Sequence, residues 1–212
     1  AWMRVAAEAT AASAANTRLA LATGQLLEFP GDAGAAGPDA VLQIDFTYDF
    51  KTDLVLAGPA GLRFYRQAEA GSFSDATVQS RLPKAILNGA YRGAWAADIE
   101  ADGDLDIVLG TARGEPVVLQ NNGDSTFEVI RPFKGVDGLS QFLWADLDGE
   151  GTPEAVIVDG AGRLHVFMNR RQGQFQERAV PAELGTVRAL AVIDADHDGR
   201  WELLVLRADG VL

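Results

Sequence analysis

The feature that most constrains the fold is an acidic segment that recurs four times along the chain. The copies begin at Asp45, Asp98, Asp146 and Asp194, and successive copies are 53, 48 and 48 residues apart. A repeat of roughly fifty residues is too long for helical hairpin repeats and fits one four-stranded unit per repeat. Because sequence repeats fold as similar units that pack on their neighbours, the chain is predicted to form a series of similar β-sheets.

The order of residues within each repeat is also constant and predicts four short strands. A continuous apolar run follows every acidic segment, which is typical of a strand buried on both faces. These runs begin at Leu54, Ile107, Ala155 and Leu203. A shorter strand precedes each acidic segment, beginning at Val41, Gly93, Gln141 and Arg188. A third strand follows a glycine turn, and a fourth follows a second turn rich in residues that accept positive φ. The fourth strands begin at Phe73, Phe127 and Phe175.

The economical packing of such meanders is radial, so the predicted fold class is an all-β propeller of four-stranded antiparallel blades. Three blades are complete and one is partial. The constant spacing disfavours the alternative, a pair of unrelated β-sandwiches. The Ala-rich start of the chain favours a short helical segment. The predicted divisions are an N-terminal helix or linker over 1–16 and a propeller over 17–212, with a hairpin and loop over 17–37, blades over 38–80, 90–131 and 139–180, and a partial blade over 187–212.

The acidic segments form nine-residue loops with carboxylates at alternate positions and glycine at the sixth position in three copies. Hard oxygen donors around a sharp turn are what Ca²⁺ requires, and bunched carboxylates repel one another unless a cation or backbone N–H groups compensate. The seventh residue would contribute its carbonyl. The predicted ligands are Asp98, Glu100, Asp102, Asp104 and Asp106 in the second loop, Asp146, Asp148, Glu150, Thr152 and Glu154 in the third, and Asp194, Asp196, Asp198, Arg200 and Glu202 in the fourth.

Two further features refine this prediction. An EF-hand is excluded, because the last acid comes at position nine and a β-run, not a helix, follows it. The eighth residue, which is Leu105, Pro153 or Trp201 in the last three loops, is predicted to pack under its loop.

The first loop departs from the pattern. Thr47 replaces an acid and Phe50 replaces the glycine. The acids that remain in this loop are Asp45, Asp49 and Asp53, and Lys51 is positioned to compensate their charge.

These segments resemble FG-GAP/VCBS repeats, the blades of the integrin α-subunit propeller and of many bacterial secreted proteins. The resemblance covers roughly residues 40–212 and rests on DIEADGDLDIVLG from Asp98, NNGDSTF from Asn121 and FSDATVQSRLP from Phe73. It implies Ca²⁺ in the loop joining the first two strands of a blade, at the matching positions given above. Related rings usually close with about seven blades. We therefore favour remaining propeller blades of a longer chain over a closed four-bladed ring in which residues 18–29 pair beside 203–212.

Composition excludes several partners and functions. With 18 basic and 30 acidic residues the net charge is −12, which argues against nucleic acid as a partner. The absence of Cys excludes disulfide scaffolds, Cys-ligated zinc and thiol nucleophiles. No run of 18 apolar residues exists, so membrane insertion is not expected. None of His165, His197, Ser74 and Ser140 lies in a recognisable catalytic pattern, and no catalytic residue is predicted.

The sequence therefore predicts a non-enzymatic calcium-binding β-propeller that presents a surface to a protein or glycan ligand. An extracellular or periplasmic location is expected, because millimolar Ca²⁺ there fills modest sites. The alternative is a propeller domain of a secreted polysaccharide-active enzyme, with catalysis at the ring face or in an absent domain. A purely structural spacer is a third possibility.

Overall fold

The computed structural model describes residues 18–21, 24–32, 36–68 and 71–211. In these ranges the regular secondary structure is almost entirely β, with one short helix, α1 (Lys84–Leu87), and one 3₁₀ turn at Ala182–Leu184. The predicted all-β fold is confirmed. The helix or linker predicted over 1–16 lies outside the described residues. No helix in these ranges has the length and apolar character needed to span a bilayer.

The strands form a short hairpin and four further sheets. The hairpin pairs β1 (Arg18–Ala20) with β2 (Leu26–Glu28). The first sheet contains β3 (Val41–Ile44), β4 (Asp53–Gly58), β5 (Gly61–Gln67) and β6 (Phe73–Asp75). The second contains β7 (Tyr91–Ala97), β8 (Asp106–Thr111), β9 (Val117–Asn121) and β10 (Phe127–Ile130). The third contains β11 (Gln141–Ala145), β12 (Glu154–Val158), β13 (Leu164–Asn169) and β14 (Phe175–Arg178), and the fourth contains β15 (Val187–Ile193) and β16 (Glu202–Arg207).

The first three of these sheets share one simple topology. Each has four strands in chain order, and neighbouring strands pair antiparallel through short turns. The second strand of each sheet, β4, β8 or β12, is buried along nearly its whole length. The prediction that the continuous apolar runs form doubly buried strands is therefore correct in these three repeats. Each acidic loop joins the first strand of its sheet to this buried second strand.

The chain divides into two compact units. The first contains the described residues up to Ala96 together with 104–109 and 118–130. Its hairpin packs on the first sheet, where Leu27 and Phe29 join a core with Leu56. The Gln25 side-chain amide donates to the Phe73 carbonyl at 2.6 Å and accepts from the Phe73 N–H at 2.9 Å. This double hydrogen bond imitates a strand pair, so the hairpin is held to the edge of the sheet as well as to its face.

The second unit contains residues 97–103, 110–117 and 131–212. Its core is formed by Val156, Val166 and Val187, with Val205 packed against them. The Gln141 side chain donates to the Arg188 carbonyl at 2.7 Å and accepts from the Leu190 N–H at 3.1 Å. A glutamine amide therefore connects the third sheet to the fourth, in the same way that Gln25 connects the hairpin to the first sheet.

The fourth sheet corrects one expectation. Its second strand, β16, is only half-buried, although the apolar run beginning at Leu203 predicted burial on both faces. The reason is that β16 pairs only with β15, so its other edge has no neighbouring strand among the described residues. The closed four-bladed ring, which the sequence disfavoured, would require the hairpin to pair beside the fourth sheet. Among the described strands, β1 and β2 form a sheet of their own and β15 and β16 form another.

Candidate metal-binding loops

Each acidic loop folds around the carboxylate of its first residue. The backbone N–H of the sixth residue donates to this carboxylate in all four loops. The donor–acceptor pairs are Phe50–Asp45 at 2.8 Å, Gly103–Asp98 at 3.1 Å, Gly151–Asp146 at 2.9 Å and Gly199–Asp194 at 3.2 Å. The first aspartate is thus a structural residue of the loop in every repeat, whatever else the loop binds.

The fourth and sixth residues of the loops adopt left-handed backbone conformations. The φ values are 59° and 60° at Tyr48 and Phe50, 60° and 97° at Ala101 and Gly103, 74° and 79° at Gly149 and Gly151, and 62° and 86° at His197 and Gly199. Glycine tolerates this region, whereas another L-residue loses roughly 1–2 kcal/mol there. Phe50 is 99% exposed, so almost no packing offsets its strain.

The third and fourth loops each bring three carboxylates together. One oxygen from each residue of a group lies within 4.8 Å of the other two. The groups occupy positions one, three and nine: Asp146, Asp148 and Glu154 in the third loop, and Asp194, Asp196 and Glu202 in the fourth. The predicted position-five ligands Glu150 and Asp198 lie outside these groups. Among the residues that the structure describes, the predicted ligands of the second loop form no such group. Nothing in the structure tests the carbonyls predicted at Thr152 and Arg200.

The ninth residue explains some of this difference between loops. It is Asp in the first two loops, where it is fully buried and accepts a hydrogen bond from the third strand of its sheet. The donor–acceptor pairs are Gln67–Asp53 at 2.9 Å and Asn121–Asp106 at 2.8 Å. It is Glu in the last two loops, where it accepts from the second loop residue. These pairs are Leu147–Glu154 at 2.8 Å and Ala195–Glu202 at 2.7 Å. The longer side chain therefore returns into the loop and completes the group of three carboxylates.

In the third and fourth loops, no ion pair among the described residues joins a Lys, Arg or His to the first, third or ninth carboxylate. Negative charge is therefore concentrated there. Burial, and then repulsion from Asp148 and Asp146, raise the pKa of the Glu154 carboxyl, although the Leu147 N–H opposes this. In the fourth loop, Oδ1 of Asp194 is buried and has no hydrogen-bond partner among the described residues. A buried carboxylate oxygen without a donor is costly, and a hard cation is the partner that suits it.

The first loop compensates its carboxylates with its own side chains. The Thr47 hydroxyl donates to Asp53 at 3.1 Å, and the Arg66 guanidinium donates to Asp49 at 3.0 Å. The Lys51 ammonium lies 3.8 Å from the same Asp49 carboxylate. The Arg66 hydrogen bond is the main reason that the pKa of Asp49 lies below its usual value. The sequence indicated Lys51 as the compensating cation but missed Arg66, which comes from β5.

The eighth residue does not pack under the loop as predicted in the second and fourth copies. Leu105 is 40% exposed and Trp201 is 48% exposed. In the second loop the ninth residue, Asp106, is buried at the start of β8, so its predecessor Leu105 points outward. In the fourth loop Glu202 and Trp201 are both exposed, because β16 is itself only half-buried.

A second carboxylate network was missed in the turn after β12. Asp159 is 1% exposed, and its Oδ1 accepts from the N–H groups of Ala161 at 2.8 Å and Arg163 at 2.9 Å. Its Oδ2 accepts from Nε of Arg163 at 2.7 Å. Nε2 of His165 lies 3.4 Å from the same Oδ2, while Nδ1 of His165 lies 2.7 Å from Glu177. Burial raises the pKa of Asp159, but the hydrogen bonds from Arg163, Ala161 and His165 outweigh it and leave this pKa low.

Two recesses open on the surface of the second unit. One of about 300 Å³ lies beside the third loop and is mainly polar in its side chains. Its lining residues are Asp148, Met168, Arg170, Gln176, Glu177 and Arg178. The other, of about 330 Å³, is a largely apolar groove beside β16. Its lining includes Leu147, Leu164, Val166, Val180, Leu184, Trp201, Leu203 and Val205.

The solved structures that this chain matches include three proteins from different organisms. A lectin from Agrocybe aegerita, solved for its recognition of non-reducing terminal N-acetylglucosamine, matches with a TM-score of 0.60 and 21% identity over 91% of this chain and 55% of that chain. The Photorhabdus luminescens Tc holotoxin pore matches with a TM-score of 0.47 and 20% identity over 92% of this chain and 10% of its own. The V. cholerae biofilm matrix protein Bap1 matches with a TM-score of 0.48 and 18% identity over 84% of this chain and 30% of that chain.

The chain therefore spans about 55% of the lectin and smaller shares of the other two chains. No curated protein matches it in sequence. At this level of identity the likeness to the lectin concerns the fold.

The family profile of the FG-GAP-like repeat matches three overlapping stretches, residues 45–109, 98–157 and 146–205. Each stretch begins at the first aspartate of one loop and ends in the apolar strand that follows the next loop. Together they extend over more than half of the chain and cover most of the three complete sheets and some of the fourth. The loop geometry, the sheet order and this match agree, and the chain belongs to the FG-GAP-like repeat family.

Proposed function

We propose that this chain is a non-enzymatic, calcium-binding portion of a β-propeller that presents a glycan-binding surface outside the cytoplasm. The observation that carries the calcium proposal is the pair of carboxylate groups in the third and fourth loops. The propeller proposal draws on the repeated four-stranded antiparallel sheets and on membership of the FG-GAP-like family.

The donor chemistry of these loops suits Ca²⁺. All the side-chain donors are carboxylate oxygens, and no nitrogen or sulfur ligand lies in either group. In the third loop Asp146, Asp148 and Glu154 would hold the ion, and in the fourth Asp194, Asp196 and Glu202. Bound Ca²⁺ would supply positive charge to the carboxylates and, in the fourth loop, a partner for the buried oxygen of Asp194.

The chain itself positions these ligands in advance. The first aspartate of each loop is held by the N–H of the sixth residue, and the ninth residue is held by the N–H of the second. The carboxylates are thus oriented by backbone donors, so binding requires little reordering of the loop. Sites with few charged ligands bind in the range of about 10⁻⁴–10⁻³ M, which fits extracellular calcium.

The glycan proposal is supported by the fold shared with the Agrocybe aegerita lectin. A net charge of −12 favours an uncharged ligand over a polyanion. We therefore propose neutral glycans, with terminal N-acetylglucosamine as the first ligand to examine because that lectin recognises it.

Calcium binding is tested by calorimetric melting in chelator and in about 1 mM Ca²⁺. The melting temperature is expected to rise with calcium, because the ion binds the native state. Asp194→Asn should remove about half of the rise. The matched control is Asp49→Asn in the first loop, where Arg66 already pairs with the carboxylate, and it should leave the rise unchanged. Superimposable curves in chelator and calcium would contradict the proposal.

The ligand class is tested by glycan-array binding with calcium and with chelator. Binding of a neutral glycan in calcium is the expected result. Binding of a protein alone would replace the glycan proposal, and turnover of a polysaccharide by this chain would overturn the non-enzymatic one.

A further inference from the structure

The tip of the first loop, residues 48–50, carries an aromatic ring on a left-handed backbone. Phe50 has a φ of 60° and is 99% exposed. Glycine occupies this position in the other three loops, and the left-handed region is unfavourable for a residue with a Cβ. Strained backbone of this kind is concentrated at functional sites in proteins. Since the ring is almost completely exposed, its surface is available to a ligand.

The outward direction of the Phe50 side chain is a property of the sixth loop position. A Cβ placed on Gly151 or Gly199, the sixth residues of the third and fourth loops, would have no described atom within 4 Å apart from those of its chain neighbours. The third loop has an acidic loop before it and another after it in the chain, and its sixth position is still open. A side chain at this position therefore faces solvent, and the first loop places an aromatic ring there.

A second aromatic ring lies two residues earlier in the loop. Tyr48 is 41% exposed, and its hydroxyl accepts a hydrogen bond from the Leu105 N–H at 3.0 Å. Leu105 is itself 40% exposed. The hydrogen bond fixes one end of the Tyr48 side chain while part of its ring stays accessible. The tip therefore presents one fully exposed ring and one fixed ring, with an aliphatic side chain beside the second.

An ion pair between fixed side chains comes from the residue between the two rings. The Asp49 carboxylate accepts from the Arg66 guanidinium at 3.0 Å and from the Lys51 N–H at 3.1 Å. Half of the Arg66 side chain is exposed. Arg66 lies on the same face of β5 as Phe64, whose ring centroid is 5.3 Å from that of Phe127 in β10. The pair is therefore accessible although β10 lies against this face of the sheet.

We propose that the tip of the first loop is a contact site for a neutral sugar residue, with Phe50 against the C–H face of the sugar and Asp49 and Arg66 at its hydroxyl groups. This inference rests on the proposed glycan function and gives it a place on the chain. A sugar has an apolar C–H face and hydroxyls that donate and accept hydrogen bonds. Aromatic rings beside a few fixed polar groups match that chemistry.

The charges at the tip favour a neutral sugar that binds without calcium. The cations Arg66 and Lys51 offset the Asp49 carboxylate, so the tip has no excess charge that would attract an ionic ligand. Within the described ranges, the first loop also forms no group of three carboxylates that could hold an ion. Contact between the sugar and this loop therefore requires no bound metal.

The test applies the full chain to an array of neutral glycans that includes tri-N-acetylchitotriose, in chelator and in about 1 mM calcium. Phe50→Gly removes the ring and supplies the residue that the other loops have in this left-handed position, so the loop keeps its shape. We expect this variant to lower the glycan signals about tenfold or more. The matched control is Val78→Ala, which removes an 86% exposed apolar side chain elsewhere on the same unit and should leave the signals within about twofold.

A second variant examines the polar part of the site. Arg66→Gln removes the guanidinium that holds Asp49 and should lower the same signals about threefold to tenfold, since one or two hydrogen bonds to the sugar are lost. Circular dichroism establishes that each variant is folded.

The outcomes distinguish this site from the glycan function on which it rests. If the unaltered chain binds neutral glycans and Phe50→Gly binds them equally well, the site is wrong and the glycan function stands. Signals that appear only in calcium would also overturn the site. If the unaltered chain binds no neutral glycan in either condition, the function and the site are both overturned. A protein that then binds the unaltered chain, but not Phe50→Gly, would identify the ring as a protein contact.

Discussion

The first and fourth loops share one backbone conformation but balance their carboxylates in opposite ways. In both, the sixth N–H donates to the first aspartate, and the fourth and sixth residues are left-handed. The first loop supplies a hydroxyl from Thr47 and cations from Arg66 and Lys51. The fourth loop leaves a buried Asp194 oxygen without a donor among the described residues. Loop shape and charge balance are therefore separate properties of these repeats.

The largest expected effect concerns the ninth residue. Asp53→Ala leaves the Gln67 N–H and the Thr47 hydroxyl without their acceptor at a fully buried position. The free energy of unfolding should fall by about 3 kcal/mol, in chelator and in calcium alike. Glu202→Ala in the fourth loop removes an exposed residue and should lower it by less than about 1 kcal/mol in chelator. Urea denaturation measures both, and equal losses would show that the two loops do not differ as described.

A transplant should convert the first loop to the behaviour of the fourth. Thr47→Asp with Phe50→Gly, Lys51→Thr and Asp53→Glu restores the acid and the glycine, removes one cation and gives the ninth residue the length that it has in the fourth loop. The fourfold variant should gain about 1.4 kcal/mol of calcium-dependent stability at a tenfold excess of ion over its dissociation constant. The matched control carries Thr47→Asn with the other three changes and should gain none. Calorimetric titration decides the matter, and equal heats from the two variants would refute the expected conversion.

Two substitutions at the sixth loop position test backbone strain, and their expected effect is smaller. Phe50→Gly should stabilise the chain by about 1 kcal/mol, because the residue is left-handed and its side chain is 99% exposed. Gly199→Ala should destabilise the fourth loop by a similar amount. No described atom lies within 4 Å of where a Cβ at Gly199 would be, so the loss would come from φ alone. Thermal melts in chelator test this pair, and a loss on Phe50→Gly would reveal a packing role for that ring.

The smallest effect is a pH dependence of opposite sign in two loops. Burial and the neighbouring acids raise the pKa of Glu154 in the folded state, so its contribution to stability is present at low pH and is lost as pH rises through that pKa. Arg66 lowers the pKa of Asp49, so its contribution is present above the unfolded pKa and is lost as pH falls. In chelator, Glu154→Gln should remove the first dependence and Asp49→Asn the second. Melting curves between about pH 3 and pH 7 compare them, and parallel profiles for both variants would contradict these signs.

The period of the repeats made most of the fold predictable. Apolar runs located β4, β8 and β12, and glycine turns located the strands that follow them. The partial burial of β16 was not predictable from its own residues, because burial of a strand depends on its neighbours in the sheet. Nor was Arg66 identified as a partner of Asp49, since that contact depends on the register between the loop and β5.

The candidate site was predicted less evenly. Positions one, three and nine of the third and fourth loops come together as the alternating acids indicated. Position five does not join them, and the second loop forms no group within the described residues, although it has five acids and the third and fourth loops have four each. The difference between Asp106 and Glu154 at position nine is one methylene. The longer side chain brings the Glu154 carboxylate to the Leu147 N–H of the loop, while it also accepts a backbone hydrogen bond from Asn169 in the third strand.

The hydrogen bond from the sixth N–H to the first aspartate has a consequence for how such repeats diversify. Because each loop is closed by its own backbone, a substitution at the third position changes the charge of the loop without removing the bond that closes it. Tandem copies can then differ in their charge while they keep one loop shape. The first loop, with threonine and phenylalanine where its neighbours have an acid and glycine, still has this closing bond.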